Sequence, residues 1–186
     1  MIQWLFKKLF HLWGWRVEGI EHTKIPKKIY VVIPHTSNWD FPVGYIMKVF
    51  IPLDVRWIAK DSLFKWPLGF FARRMGGIPV NRAKATRFVD TMIDLYDKHE
   101  VFSTSIAPEG TRRKVKKLKS GYWRIAKGAN VPIVYTKFDW GRRVVEYAAP
   151  RAAADSWPEE AAYAAEHFKD TVGCIPENSF GYPFGK

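Results

Sequence analysis

The sequence predicts a single α/β domain: a mixed, mostly parallel sheet covered by helices, preceded by an amphipathic interfacial helix. Three observations predict it. Short β-branched or apolar runs alternate with stretches of helical period along most of the chain. The 186 residues are 47% hydrophobic and 26% charged, a globular composition long enough to bury a core without staples. No repeat, low-complexity tract or linker divides the chain.

The elements follow in order. Residues 1–16 (MIQWLFKKLFHLWGWR) place Trp4, Leu5, Leu9, Leu12 and Trp13 at helical spacing, flanked by Phe6 and Phe10, with Lys7, Lys8 and His11 largely opposite. The stretch is too short and too charged to span a bilayer, and no small-residue cleavage site follows it. It reads as a helix lying in a membrane interface, its aromatic face among acyl chains and its lysines among headgroups. The alternative is an ordinary helix packed on the domain. Residues 28–34 (KIYVVIP) read as a buried strand. A helix runs from Asp40 or Phe41 to Phe50, and 55–59 is a second strand. Residues 62–75 are helical, broken near Pro67, with Asp61 as N-cap and Gly76-Gly77 as the stop. A short strand at 78–80 precedes a helix at 83–98 with Phe88, Met92 and Leu95 on one face. Residues 101–107 form a strand and 120–127 a short helix stopped by Gly128. Strands at 131–138 and 143–149 flank a Trp140-Gly141 turn. A last helix spans 157–171, its start marked by Ser156, Pro158 and Glu159. The tail, 176–186, is Gly/Pro/aromatic and is expected to be irregular. The expected organisation is therefore a membrane-interface segment, 1–16, and one domain, 17–186.

Charge narrows the partners. Lys and Arg total 30 against 18 Asp and Glu, a net charge of +12, which favours nucleic acid, acidic lipid or a phosphorylated substrate. Nine tryptophans tilt this toward a membrane surface. A nucleic-acid binder would interleave aromatics with basic residues, whereas the basic run here holds few, so no specific nucleic acid is expected. Cys174 is the single cysteine, which excludes an internal disulfide and any multi-cysteine site. No metal is expected, since the histidines do not pair with carboxylates at ligand-like spacing.

Four blocks carry chemistry. His35 follows a buried strand and Asp40 opens the next helix, where open α/β sheets place their sites. A carboxylate five residues on can fold back, fix the imidazole tautomer and stabilise its charged form. No enzyme nucleophile accompanies them: Cys174 lies in the tail and Ser37 lacks a nucleophile-elbow setting. His35 would then activate a hydroxyl on the substrate. The plainer alternative is that Asp40 or Asn38 only caps the helix. Pro108 and the run Glu109-Gly110-Thr111-Arg112 form the second block. The glycine permits a tight turn, Arg112 offers a fork for phosphate or carboxylate, and Glu109 could hold a hydroxyl or brace the arginine. From 110 to 138 there are nine basic residues and no acidic one, a solvated face or an anion site. Gly76 to Arg82 is the third, with Arg82 aimed at the same sheet edge. The fourth, 131–134, is a buried strand.

In this order the blocks resemble those of the glycerolipid acyltransferase family, whose best known members make phosphatidate from lysophosphatidate. The His-xxxx-Asp pair, a second block ending in arginine, Glu-Gly-Thr-Arg and Val-Pro-Ile all have counterparts across about residues 30–135. The resemblance implies that His35 is the general base and Asp40 its partner. It implies that Glu109, Gly110, Thr111 and Arg112 help bind the acceptor and that Arg82 meets its phosphate. The implied substrates are a lysophospholipid, 1-acylglycerol-3-phosphate first, and an acyl thioester carried on CoA or acyl carrier protein as co-substrate, with no cofactor. The implied location is the cytoplasmic face of an anionic membrane, monotopic, with 17–186 as the acyltransferase domain. Pro34 stands where the family usually has asparagine, and 78–81 departs from the usual second block. A lipid hydrolase and a non-catalytic membrane-binding or nucleic-acid-binding module are the alternatives. Trp57, Trp66, Phe70 and Phe71 are expected in the core, with an acyl tunnel as their alternative place.

Overall fold

The computed structural model describes residues 2–51, 53–80, 85–181 and 183. Among them the chain runs α1 (Ile2–Leu12), β1 (Arg16–Glu18), β2 (Lys27–Ile33), α2 (Asp40–Phe50), β3 (Val55–Lys60), α3 (Leu68–Arg74), β4 (Gly77–Val80), α4 (Ala85–Lys98), β5 (Phe102–Ile106), α5 (Gly121–Gly128), β6 (Ile133–Asp139), β7 (Val144–Tyr147) and α6 (Trp157–Phe168). Short 3-10 turns lie at Ile20–Thr23, Asp61–Phe64 and Pro176–Asn178.

Burial on both sides explains why residues 27–33 read as an unbroken apolar run. In the seven-stranded sheet, ordered β1-β7-β6-β2-β5-β3-β4, β2 is central. Its neighbours β5 and β6 both run parallel to it, and among the described strands the β6–β7 hairpin is the antiparallel pair. Successive β2 side chains alternate between two cores. Ile29, Val31 and Ile33 meet Met92 and Tyr96 of α4, Ile125 of α5, and Ala164 and Phe168 of α6. Tyr30 and Val32 meet Phe10 of α1 and Val43 and Met47 of α2. The sheet is thus mixed, mostly parallel and covered by helices on both faces, as expected.

Several local expectations are corrected. β1 was not expected: three residues at an exposed edge carry almost no periodic signal, and only pairing with β7 through Arg16–Val144 reveals it. Asp61 is not an N-cap but the first residue of a 3-10 turn, and α3 begins only after Pro67. Gly69 permits that turn to fold onto α3, because a Cβ there would meet the Phe64 carbonyl oxygen. α6 keeps its expected cap, with Ser156 Oγ accepting from Glu159 N–H at 3.4 Å, but stops at Phe168. The described part of the tail is irregular apart from the 3-10 turn, as expected, but it is held in place. Ser179 is buried and its Oγ accepts from Gly173 N–H at 2.8 Å, while Ile175 N–H donates to Thr36 Oγ1 at 3.1 Å. The tail therefore braces the turn between β2 and α2.

Both expected uses of the first helix have a face in the structure. Phe10 is fully buried, 5.1 Å from Phe50 of α2 between ring centroids. Trp4, Leu5, Leu9 and Leu12 remain exposed. No helix among the described residues is long and apolar enough to cross a membrane.

Candidate active site

The turn that leaves β2 and enters α2 concentrates four hydrogen bonds on one carboxylate. Asp40, the first residue of α2, is almost fully buried. Its Oδ2 accepts from His35 Nδ1 at 2.9 Å and from the Thr36 and Ser37 N–H groups at 3.0 Å each. Its Oδ1 accepts from Trp140 Nε1–H at 2.8 Å. Such bonding compensates the burial of a polar carboxyl group. With Nδ1 donating to Asp40, Nε2 of His35 is the nitrogen left to accept a proton. The helix cap expected of Asp40 or Asn38 is not made: Trp39 is the N-cap residue, no side chain caps α2, and Asp40 instead bonds the turn that precedes it. Ser37 Oγ accepts from Trp39 N–H at 3.2 Å and serves the turn.

Parallel pairing of β2 with β5, ending at Val31–Ile106, brings the segments beyond both strands together. Glu109 is buried behind the histidine, and its Oε2 accepts from the His35 N–H at 2.7 Å. Burial, reinforced by the Asp40 charge and opposed by that hydrogen bond, pushes its carboxyl from 4.5 up to about 8. The two neighbouring carboxyl groups have different tasks: Asp40 holds the imidazole, and Glu109 holds the backbone beneath it.

His35, Asp40 and Arg112 share a cavity of about 580 Å³, walled by aromatic and aliphatic side chains including Phe41, Trp57, Leu68, Phe71 and Tyr147. Lys48 also lines it, with Nζ donating to the carbonyls of Val55 and Met75 at 2.7 and 3.3 Å. Burial lowers its ammonium pKa. Glu109, Gly110 and Thr111 stand outside the lining. Gly110 takes φ 65° in the turn after β5, a conformation that favours glycine, and Thr111 Oγ1 accepts from Arg113 N–H at 3.3 Å. Arg82 lies outside the described residues. The basic run does not act as one face: Lys127 pairs with Asp155 and Lys137 with Glu146, each at 3.1 Å, while Arg112, Arg113, Lys116, Lys117 and Lys119 are exposed beside the cavity turn.

The aromatic expectations divide. Trp57 and Phe71 line the cavity, whereas Trp66 and Phe70 belong neither to core nor to cavity and face solvent. Cys174, distant in sequence, folds back beside Trp140, but there it lines a separate pocket of about 250 Å³ with Trp13 and Trp15. Sequence reasoning missed Trp140. It sits 100 residues from Asp40 in the turn after β6, and no local pattern couples the two.

Residues 14–135 match the sequence model of the Acyltransferase family. The chain belongs to the acyltransferase family. The matched span begins beyond α1 and covers the His35–Asp40 turn, α3 and the Glu109–Arg112 turn. Among solved structures, the acyltransferase fold resembles the crystal structure of the 1-acyl-sn-glycerophosphate (LPA) acyltransferase PlsC from Thermotoga maritima. The two share a TM-score of 0.63 and 23% identity over 89% of this chain and 74% of that one. No curated protein sequence matches the chain.

Proposed function

We propose that this acyltransferase moves a fatty acyl chain from a thioester to the free hydroxyl of a lysophospholipid, 1-acylglycerol-3-phosphate first, in phospholipid synthesis. The observation that carries the proposal is the 2.9 Å contact between His35 Nδ1 and Asp40 Oδ2 at an apolar cavity of acyl-chain size. His35 Nε2 takes the proton from the acceptor hydroxyl as its oxygen attacks the thioester carbonyl. Asp40 stabilises the resulting imidazolium. The tetrahedral intermediate collapses, the C–S bond breaks, and the leaving sulfur takes the proton from the imidazolium. An ester and a free thiol result. Thioester and alcohol need no cofactor for this exchange.

Arg112 is the phosphate-binding cation in this scheme, joined by Arg82, and Gly110 and Thr111 shape the turn that presents Arg112. Glu109 acts on the acceptor only through His35, whose backbone it holds. The exposed stripe of α1 supports peripheral attachment to the cytoplasmic face of an anionic membrane, with residues 1–16 as the interface segment. The donor is acyl-CoA or acyl carrier protein, either of which is anionic enough for the basic surface.

Incubating the purified chain with a panel of lysolipids and both donor types, followed by mass spectrometry, tests the proposal. The expected product is a diacylated phospholipid. Acyl chains appearing only as free fatty acid would make the chain a hydrolase instead.

A further inference from the structure

The segment from residue 60 to 74 inverts the usual order of burial. Leu63 is 42% exposed, Trp66 90%, Leu68 63%, Phe70 65% and Phe71 60%, whereas the buried residues of α3 are Gly69 and Ala72. A helix that hides its small residues and shows its aromatics has nothing in the described chain to cover it. Lys60, Lys65, Arg73 and Arg74 are exposed around this patch, against Asp61 as the acidic residue in the segment. Arg73 also lies 5.4 Å from the Phe64 ring, over the base of the patch. Large apolar side chains ringed by cations are the signature of a surface that enters an anionic lipid interface.

Three of these exposed residues, Leu63, Leu68 and Phe71, also line the cavity that His35 and Asp40 share. The patch and the reaction site are therefore one continuous apolar surface. Its position is apt: α3 faces α2 across a cavity floored by Tyr30 and Tyr147, the sheet face on which α1 also packs. Trp39 and Phe41, at the start of α2, are exposed as well, Trp39 6.3 Å from Trp13 and Phe41 4.9 Å from Trp57 between ring centroids.

We infer that the 61–74 segment is a second membrane-inserting element, separate from α1, whose occupant is an anionic lipid bilayer and whose immersion opens the cavity to lipid-borne substrate. The inference rests on the acyl-transfer reading only for the purpose of that opening. Lipid contact itself stands on exposure and charge.

The test uses the full chain with vesicles of phosphatidylglycerol and phosphatidylcholine, and the paired substitutions Trp66→Ser and Phe70→Ser, neither of which touches the cavity. Partition onto vesicles is measured by co-sedimentation. A parallel variant, Trp4→Ser with Leu12→Ser, reports α1. We expect the α3 pair to lower partition by about tenfold or more, with a steep dependence on the phosphatidylglycerol fraction. Transfer to a vesicle-embedded acceptor should fall with it, while turnover of a short, water-soluble acceptor is unchanged. Unchanged partition of the α3 pair, with loss only in the α1 pair, overturns the inference. So does a concentration-dependent dimer that the α3 pair abolishes while vesicle binding persists, since a second copy would then be the occupant. Partition is read without turnover, so a chain that binds vesicles through α3 yet transfers no acyl group would sink the acyl-transfer reading and leave the lipid contact standing.

Discussion

The two faces of the sheet are built from the same strands and do different things. On the face covered by α4, α5 and α6, Met92, Tyr96, Ile125, Ala164 and Phe168 are closed off completely or nearly so. Even the charge there is fully engaged: Glu160 accepts from Arg151 Nη1 and Ala154 N–H, both at 2.8 Å, and from the Tyr135 hydroxyl. On the face covered by α1, α2 and α3, Phe10 and Trp15 are buried, but a cavity of about 580 Å³ lies beneath the helices and Trp4, Trp39, Trp66, Phe70 and Phe71 are exposed. Close-packed helices leave no room for a ligand, so stability concentrates on one face and chemistry on the other. The buried glutamates repeat the contrast. Glu160 is held by three donors, whereas Glu109 takes its bond from the His35 N–H and has its carboxyl pushed up to about 8.

Substitutions that separate turnover from stability sharpen this division. The largest effect falls on the open face. His35→Ala should lose about 10²–10⁴-fold in acyl transfer, the usual contribution of a positioned general base, with an unchanged melting temperature. Near-wild-type transfer by the purified variant would sink the mechanism. On the closed face, Phe168→Ala should cost about 3–5 kcal/mol of folding stability, read by urea denaturation, with turnover per folded molecule preserved. A loss under 1 kcal/mol, on the scale of an exposed site, would deny that face its structural role.

Trp140→Phe joins the faces' logic at one bond. It removes the indole donor from Asp40 Oδ1 and keeps most of the ring volume. A hydrogen bond to a charged group is worth about 1.5–3 kcal/mol, so kcat should fall about ten- to a hundredfold. KM for either substrate should move little, because Trp140 holds Asp40 and not a ligand. Equal losses in kcat/KM through KM alone would place Trp140 in substrate binding instead.

The smallest effect is a slope. Between 4.5 and about 8 the folded chain keeps a proton on Glu109 that the unfolded chain has released. Stability from this group therefore falls as pH rises through that window, by up to about 1.4 kcal/mol per pH unit, and is flat on either side. Glu109→Gln keeps an amide oxygen for the His35 N–H and should flatten the curve relative to wild type. Parallel pH–stability curves for the two chains would remove the raised carboxyl from the account.

Local pattern made much of this legible. The central strand, the α2 start at Asp40, the capped start of α6 and the Glu109–Arg112 turn all lie within a few residues of the signal that marks them. The spacing of His35 and Asp40 was likewise readable, because a single turn between strand and helix returns the carboxylate to the ring. What was hidden depends on partners far along the chain. β1 exists only through β7, Thr36 is braced by the tail near Ile175, and the cap expected of Asp61 gave way to the fold of the 61–64 turn onto Gly69.

The amino-acid order alone thus settled the helices and the strands other than β1, the mixed sheet and the nearness of His35 to Asp40, since each arises from hydrophobic period or from spacing inside one turn. Tertiary structure alone decided that Trp140 completes the carboxylate's shell, that Glu109 lies behind the histidine, and that Trp66 and Phe70 stay in the open. An aromatic residue looks the same in a sequence whether it ends in the core, in a cavity wall or on the surface. Only the distances between packed elements distinguish those places.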